Sequence, residues 1–311
     1  MSFPKVTVVG AGQVGATAAQ LLLLHETADV VMIDVAEGLP QGKALDLMHL
    51  RSVERFAPSI KGTNDYDDTA GSDVVVITAG LPRKPGMTRD DLLAANSDIM
   101  RSVIVQAVEA SPDAVFVCVT NPLDIMTYLA WRESGLPYER VLGMGGVLDS
   151  ARFAYAVADH TGAPIDEIDA LAMGAHGDAM VPMPRFTTIN GVPITELFHA
   201  HEVDALVERT VFGGAEVVAL LKTGSAYYAP AGSIAAMVDA ILGDSGALLP
   251  SCVMLTGEYG IDDVYLSVPA RLGAGGVQGV PELPLHAAEL TALQESAATV
   301  AAAVDALGLR A

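Results

Sequence analysis

Short apolar runs alternate with longer stretches of mixed polarity through the first half of the chain. The runs are rich in valine and lie at 5–9, 29–34, 73–78, 114–119 and 140–143. Continuous runs of this kind are typical of strands buried on both faces of a parallel sheet. Helical patterns lie between them, chiefly at 13–24, 41–56 and 91–110. The alternation predicts an α/β fold with a doubly wound parallel sheet.

The second half has a more mixed pattern. We predict a helix, a strand, a hairpin, two helices, a β-rich stretch and a final helix, at 148–161, 168–174, 185–194, 195–221, 225–242, 251–270 and 284–307. The hairpin is centred on Asn190 and Gly191, a pair that favours a type I′ turn. We therefore expect a first domain over 1–144 and an α+β domain over 145–311.

A glycine-rich motif joins the first predicted strand to the first predicted helix. It reads Gly10-Ala11-Gly12-Gln13-Val14-Gly15. In this context the first glycine permits a tight turn, the second lets the backbone approach a pyrophosphate, and the third lets the helix pack on the strand. The helix N-terminus adds N–H groups and a positive dipole end. The pattern predicts a dinucleotide-binding Rossmann domain, with the whole motif as a cofactor-binding segment.

An acidic residue ends the second predicted strand. Asp34 lies about 20 residues beyond the glycine motif, where a carboxylate accepts hydrogen bonds from the adenosine ribose. A 2′-phosphate would meet like charge at that position. The sequence therefore favours NAD over NADP.

The composition limits the possible partners. The chain of 311 residues has 17 basic and 38 acidic residues, a formal net charge of −21. Such a surface repels nucleic acid and anionic membranes, so we expect neither as a partner. One interpretation of this excess is ordinary solubilising charge. We favour the other, adaptation to a salty cytoplasm, where counterions screen self-repulsion.

Compartment and metal content follow from what the sequence lacks. No apolar run reaches membrane-spanning length without charges or glycines, and the N-terminal residues do not resemble a signal peptide. Cys118 and Cys252 have neither metal nor redox spacing, and we expect both to be buried. We therefore predict a cytoplasmic protein with no metal site.

Two segments of the second half carry candidate chemistry. Asp149 and Arg152 lie three positions apart on a predicted helix and share one face. His176 follows a predicted strand, between glycines. Taken alone, these residues are a surface ion pair and a loop histidine. Beside a dinucleotide-binding domain they would supply a proton relay and an anion clamp, as hydride transfer on a small hydroxy acid requires.

In order and spacing, these motifs resemble the malate/lactate dehydrogenase superfamily, specifically its lactate-dehydrogenase-like malate dehydrogenases. The resemblance covers essentially the whole chain. The segments that carry it are 10–15 with Asp34, 81–89, 119–122, 148–153 and 173–178.

The resemblance implies catalytic roles that also have physical reasons. His176 would be the proton carrier, since an imidazole with a pKa of about 6.5 can take up and return a hydroxyl proton. Asp149 would hold His176 and stabilise the imidazolium. Arg152 would clamp the C1 carboxylate of the substrate with its planar fork. Arg89 would polarise the reacting carbonyl.

The resemblance also implies further contacts at the ends of the sheet. Asn121 would contact both the nicotinamide ribose and the substrate, and Asn96 would be a further cofactor contact. Val119 and Thr120 complete the expected cofactor-binding set. Ser225 is a weaker match to a position near the substrate.

Arg83 lies in a segment, 81–92, that resembles a mobile lid of the family. A second guanidinium there would pair with the far carboxylate of malate or oxaloacetate, and pyruvate would leave it unpaired in a closed site. Alternatively, Arg83 is only a solvated charge beside Lys84. We predict reversible, NAD-dependent oxidation of (S)-malate to oxaloacetate, a step of the tricarboxylic acid cycle. The alternatives are a dehydrogenase of lactate or another 2-hydroxy acid, and a non-catalytic NAD-binding sensor or scaffold.

The resemblance implies a homo-oligomer, and we prefer a tetramer to a dimer. Leu45, Met48 and Phe56 fall on roughly one face of the predicted helix over 41–56. That face fits either a core or a contact between subunits, and spacing alone does not separate the two.

Overall fold

The computed structural model describes residues 3–82 and 88–310. Contacts divide the chain into two compact units. The first consists of Met1–Met144, Tyr227–Ala247 and Leu272–Gln278. The second consists of Gly145–Ala226, Leu248–Arg271 and Gly279–Ala311. Two later segments therefore join the residues 1–144 in the first unit, and the division of roles between 1–144 and 145–311 stays a prediction.

Strands and helices alternate along most of the chain. The strands are β1 (Lys5–Val9), β2 (Asp29–Ile33), β3 (Ile60–Thr63), β4 (Val74–Ile77), β5 (Val115–Cys118), β6 (Val141–Gly143), β7 (Ile168–Asp169), β8 (Ala172–Gly174), β9 (Met180–Pro182), β10 (Thr188–Ile189), β11 (Val192–Pro193), β12 (Ala247–Thr256), β13 (Asp262–Gly273) and β14 (Gly276–Gly279). The helices are α1 (Gln13–Leu24), α2 (Leu39–Glu54), α3 (Arg89–Ala110), α4 (Leu123–Ser134), α5 (Gly146–Thr161), α6 (Ile194–Leu197), α7 (Ala200–Leu221), α8 (Tyr228–Leu242) and α9 (Ala287–Ala306).

The first unit is built on a parallel sheet with strand order β3-β2-β1-β4-β5-β6. Val6 of β1 pairs with Val30 on one side and with Val74 on the other. The order reverses between β1 and β4, and ligands of open α/β sheets bind at such a switch point. The doubly wound Rossmann sheet predicted from the apolar runs is confirmed.

Two elements of the first unit lacked a clear pattern in the sequence. Helix α4 is buried on most of its surface, so its residues do not show the two-faced spacing of a surface helix. Strand β3 has the sequence Ile-Lys-Gly-Thr and lies at the edge of the sheet, where a continuous apolar run is not needed.

The second unit contains an antiparallel arrangement, with strand order β12-β13-β8-β9, and a small sheet with the order β11-β10-β7. The segment predicted as one strand over 168–174 forms two strands, because the chain passes from the small sheet to the larger one. Between them, Leu171 N donates to Thr187 Oγ1 at 3.2 Å. The predicted type I′ turn is present, with positive φ angles of 49° at Asn190 and 77° at Gly191.

The helix predicted over 195–221 is interrupted after α6. His199 is extended (φ −70°, ψ 154°) and forms the N-cap of α7. Its N–H donates to Glu202 Oε2 at 3.0 Å, which is half of a capping box and starts a new helix. Helices α5 and α7 then pack around a core that includes Phe153, Val157 and Leu206.

Burial follows several of the sequence predictions. Cys118 and Cys252 are both fully buried, and burial raises the pKa of the Cys118 thiol to about 12. The apolar face predicted on α2 is divided, since Leu45 is exposed and Phe56, beyond the end of the helix, is buried.

Within 3–82 and 88–310, the structure contains no helix with the length and apolar character needed to span a membrane.

Candidate active site

The three glycines of the 10–15 loop are required for different reasons. Gly10 has a φ of +106°, which side chains rarely tolerate. A Cβ on Gly15 would lie 2.0 Å from Gly10 O, so helix α1 approaches the loop too closely for any side chain. A Cβ on Gly12 would meet no described atom within 4 Å. Gly12 thus presents open backbone at the N-terminus of α1, where it is the N-cap.

Asp34 is fixed by the loop that it faces. Its Oδ2 accepts from Ala11 N at 2.7 Å, and its Oδ1 accepts from Ala36 N at 2.9 Å. Lys43 of α2 donates from Nζ to Gly12 O at 3.3 Å. Sequence reasoning missed Lys43, because no motif links it to the glycines and only the packing of α2 brings it there.

Asn96 joins two loops at the carboxyl ends of the strands. Its side chain is 1% exposed, and its Oδ1 accepts from Leu81 N at 2.8 Å. Its Nδ2 donates to Leu81 O at 3.2 Å and to Asn121 O at 2.7 Å. Both amide hydrogens of Asn96 therefore bind backbone carbonyls, which supports a role in shaping the loops. The predicted direct contact of Asn96 with the cofactor stays a prediction.

The other predicted residues of this edge follow β5. Thr120 is buried and donates from Oγ1 to Ala79 O at 2.7 Å. Asn121 is exposed, Val119 is half-buried, and the Asn121–Pro122 peptide is cis. The Asn121 side chain is therefore exposed at the carboxyl end of β5, while the Thr120 hydroxyl binds the backbone of the loop that follows β4.

In the second unit, helix α5 carries a buried carboxylate that contacts a histidine and an arginine. Asp149 is 1% exposed. Its Oδ2 lies 2.9 Å from His176 Nδ1, and its Oδ1 accepts from Arg152 Nη1 at 3.2 Å. Because a carboxylate only accepts hydrogen bonds, Nδ1 carries the hydrogen, and Nε2 is the ring nitrogen that can exchange a proton with a bound molecule. The structure brings together these three residues, which the sequence analysis had grouped.

The pair of Asp149 and Arg152 is not a surface ion pair. The exposed fraction is 2% for the Asp149 side chain, 20% for Arg152 and 13% for His176. Electrostatic interactions are stronger in such surroundings than in water. The arrangement can hold an imidazolium and present a guanidinium to a carboxylate.

Two glycines inside α7 make room for Arg152. A Cβ on Gly213 would lie 3.5 Å from Arg152 Cδ, and a Cβ on Gly214 would lie 3.3 Å from Arg152 Nη2. A glycine in a helix interior costs about 0.5–1 kcal/mol relative to alanine. Sequence reasoning missed this pair, although two adjacent glycines within a helical pattern were a usable signal.

The turn between β8 and β9 carries His176. Gly174 and Gly177 on either side have φ angles of +85° and +111°. Ser296 of α9 hydrogen-bonds to this turn through Ala175 N and Ala179 O. Nothing in the sequence linked Ser296 to His176.

Three further residues were predicted for the site, namely Arg83, Arg89 and Ser225. Arg83 falls outside the described residues. Arg89 is the first residue of α3, and its side chain is not described. Its position on the backbone is set by a capping box, in which Asp91 N donates to Thr88 Oγ1 at 3.0 Å. Hydrogen bonds from Thr88 hold the pKa of the Asp91 carboxyl below its usual value. Ser225 is exposed in the loop between α7 and α8.

No group of three or more His, Cys, Asp or Glu side chains among the described residues is arranged to hold a metal ion.

Comparison with protein families agrees with these two sets of residues. The lactate/malate dehydrogenase NAD binding domain matches residues 4–143. The lactate/malate dehydrogenase alpha/beta C-terminal domain matches residues 146–307.

Individual proteins are similar over nearly the whole chain. A malate dehydrogenase of Synechocystis is 54% identical over 301 residues, which cover 97% of this chain and 93% of the relative. The solved structure of malate dehydrogenase from Salinibacter ruber has a TM-score of 0.94 at 46% identity and covers 98% of this chain and 97% of its own. A lactate dehydrogenase of Cryptosporidium parvum, solved with lactic acid and nicotinamide adenine dinucleotide, has a TM-score of 0.95 at 39% identity and covers 99% of each chain. The chain therefore belongs to the lactate/malate dehydrogenase family.

Proposed function

We propose that the protein is an NAD-dependent malate dehydrogenase, which interconverts (S)-malate and oxaloacetate with His176 as proton acceptor and donor. The observation that carries the proposal is the buried Asp149 carboxylate, which contacts His176 through one oxygen and Arg152 through the other. Membership of the family supports it, and so does the name malate dehydrogenase on a relative with 54% identity.

The first unit fits NAD. Gly12 leaves space open at the start of α1, where backbone N–H groups would bind the pyrophosphate. Asp34 is held by Ala11 N and Ala36 N, so its carboxylate is fixed in place for the ribose hydroxyls. The rest of the 10–15 loop, with Asn96, Val119, Thr120 and Asn121, completes the proposed site. When bound, NAD supplies the hydride acceptor.

The residues of the second unit would handle the proton and the anion. His176 Nε2 takes the hydroxyl proton of malate, and the Asp149 carboxylate stabilises the imidazolium that results. Because Nδ1 is held by Asp149, the ring keeps the tautomer that this step needs. Arg152 pairs with the C1 carboxylate, which places the hydroxyl carbon in a fixed position.

The remaining roles concern Asn121 and the segment 81–92. We propose that Arg89 polarises the reacting carbonyl, that Arg83 pairs with the second carboxylate, and that Asn121 contacts the substrate. A lid that brings Arg83 and Arg89 in would also exclude water. Arg83 would then set the preference for a dicarboxylate.

Relative rates on two substrates test this function against the lactate alternative. We expect a higher kcat/KM for oxaloacetate than for pyruvate. Arg83→Gln should lower that ratio by about tenfold or more, because an unpaired carboxylate in a closed site is strongly disfavoured. Lys84→Gln removes the neighbouring charge and serves as the control. A higher kcat/KM for pyruvate would refute the malate assignment, and an unchanged ratio in Arg83→Gln would remove Arg83 from its role.

We further propose that the protein is a cytoplasmic homotetramer adapted to salt. Its formal net charge of −21 makes close approach of subunits unfavourable unless ions screen it. Exposed apolar residues support assembly: Leu45 and Val53 on α2, and Phe212 and Leu220 on α7. Light scattering and melting curves from low to multimolar KCl test this. We expect the melting temperature to rise and the tetramer to form as KCl increases, and a melting temperature independent of salt would contradict the adaptation.

A further inference from the structure

We infer that Ser296 is a positioning residue for His176, since its hydroxyl clamps the turn that carries the imidazole. The inference rests on the proposed function of His176. Ser296 lies on α9, 121 positions from Ala175, and is 5% exposed.

One hydroxyl binds both ends of the turn. Ser296 Oγ accepts from Ala175 N at 2.8 Å and donates to Ala179 O at 2.6 Å. The two roles are unambiguous, because the amide can only donate and the carbonyl can only accept. His176 lies between the two bound residues, so the hydroxyl fixes the ends of the segment from which the imidazole projects.

The end of β8 is shaped around this hydroxyl. A Cβ on Gly174 would lie 2.8 Å from Ser296 Oγ, closer than real side chains come. Gly174 also has a φ of +85°. The close approach of the α9 hydroxyl therefore requires glycine at the residue that precedes the turn.

The other end of β8 is fixed by a second serine. Ser150 Oγ accepts from Ala172 N at 2.9 Å. Ser150 is the neighbour of Asp149 on α5, so this bond ties the start of β8 to the helix that carries the carboxylate. The Ser296 clamp acts at the opposite end, where the chain leaves β8 toward His176.

The distance of 2.9 Å between His176 Nδ1 and Asp149 Oδ2 therefore depends on both attachments. Without the Ser296 hydroxyl, the start of β8 stays bound to α5 through Ser150, while the turn that carries His176 loses its two hydrogen bonds to α9 and can move. The imidazole would then spend less time against Asp149, and its charged form would be less stabilised. Loss of Ser296 should thus change the protonation of His176 as well as the turnover.

The test is Ser296→Ala in the full chain, assayed for NADH-dependent reduction of oxaloacetate. We expect kcat to fall about tenfold, since small misplacements of catalytic groups cost up to about 100-fold. Reduction needs protonated His176, so the decline of activity with rising pH should move to lower pH. Affinity for NADH should stay unchanged. Ser296→Thr keeps the hydroxyl and should restore both kcat and the pH profile in large part.

Thr299→Ala is the matched control. Thr299 is an exposed hydroxyl residue on the same helix, and its Oγ1 donates to Glu295 O at 3.2 Å. It should leave kcat and the pH profile as in the wild type. If Ser296→Ala does not fold, Ser296→Cys replaces it in the comparison with wild type and Ser296→Thr. The thiol fills the space of the hydroxyl but forms a weaker hydrogen bond.

The outcomes separate this inference from the proposed function. A wild-type protein inactive on oxaloacetate with NADH would contradict the proposed function itself. An active wild type with an unshifted pH profile and a kcat within about twofold in Ser296→Ala would overturn the positioning role alone. A lower melting temperature without a shift of the pH profile would make Ser296 only structural, and would overturn it too.

Discussion

The glycine loop of the first unit and the histidine turn of the second unit both fix a few polar groups, but they do so in different ways. The loop at 10–15 is held by its own backbone and by Asp34, close by in the sheet. The histidine turn is held by groups from α5 and α9, at residues 149 and 296. The 10–15 loop is held largely by backbone geometry and by Asp34, with Lys43 as a more distant contact, whereas the histidine turn is held by helices that lie far apart in the sequence.

This difference determines how each site should respond to substitution. In the loop, a methyl group added at Gly15 would lie 2.0 Å from the backbone oxygen of Gly10. At the histidine turn, the supporting groups can be removed one at a time, and each should change the function by a graded amount. The predictions that follow test this contrast in order of decreasing effect.

The largest effect is expected for His176→Asn. Loss of a general acid–base group should lower kcat by about 10²–10⁴-fold. NADH affinity should stay unchanged, because the proposed NADH-binding residues lie in the other unit. Steady-state rates measure kcat, and fluorescence titration measures the affinity for NADH. His160→Asn is the control, since His160 lies on the same helix as Asp149 and contacts Glu202 at 3.5 Å. Loss of NADH binding in His176→Asn would make His176 structural, and retained turnover would exclude it as the proton carrier.

The next effect separates two glycines of the loop. Gly15→Ala would place a Cβ 2.0 Å from Gly10 O, so we expect a loss of about 1–3 kcal/mol in stability together with weaker NADH binding. Gly12→Ala meets no described atom within 4 Å and has a φ of −68°. It should leave the melting temperature unchanged but raise the Kd for NADH, since the methyl group enters the space proposed for the pyrophosphate. Equal melting temperatures for both variants would contradict the assignment.

A smaller effect is expected at the glycines beside Arg152. Gly213→Ala should stabilise the protein by about 0.5–1 kcal/mol, because it removes a helix-interior glycine and makes an ordinary contact of 3.5 Å. Gly214→Ala, at 3.3 Å from Arg152 Nη2, should stabilise it less and raise the KM for oxaloacetate several-fold. Melting curves and initial rates distinguish them. An unchanged KM in Gly214→Ala would show that the glycine does not position the guanidinium.

The smallest effect concerns the start of α9. Arg185 donates from Nε to Glu289 Oε1 at 3.1 Å and from Nη2 to Oε2 at 2.7 Å, and this hydrogen-bonded pair lowers the pKa of Glu289. Glu289→Gln should cost about 0.5 kcal/mol at neutral pH.

The pH dependence of that loss is a sharper test. A carboxyl whose pKa is lowered by folding stabilises the protein above its unfolded pKa of about 4.3, and this contribution is lost as the pH falls through the folded pKa. The difference between wild type and Glu289→Gln should therefore shrink below about pH 4.3. Urea unfolding between neutral and acid pH measures it, with the exposed Glu295→Gln as control. A difference that is constant with pH would contradict the role of the charge.

Much of the first unit could be predicted from local pattern. The apolar runs located β1, β2, β4 and β5, and the glycine motif located the loop, because these features depend on residues a few positions apart. Strand β3 and helix α4 were missed, since the first lies at an edge and the second is buried on most of its surface. The split of 168–174 into β7 and β8 was also beyond the pattern, because the change of sheet depends on partners such as Thr187.

The sequence by itself determined the class of fold, the loop at 10–15 with Asp34, and the group of Asp149, Arg152 and His176. Spacing and residue type suffice for the class of fold and for the loop, whereas the grouping of Asp149 with His176 was implied by the resemblance to the family. The tertiary structure decided the rest: the burial of Asp149, the space that Gly213 and Gly214 leave for Arg152, and the hydroxyl of Ser296 at the turn. These depend on which distant helices pack against the site, and among them only the adjacent glycines of α7 left a usable signal in the sequence.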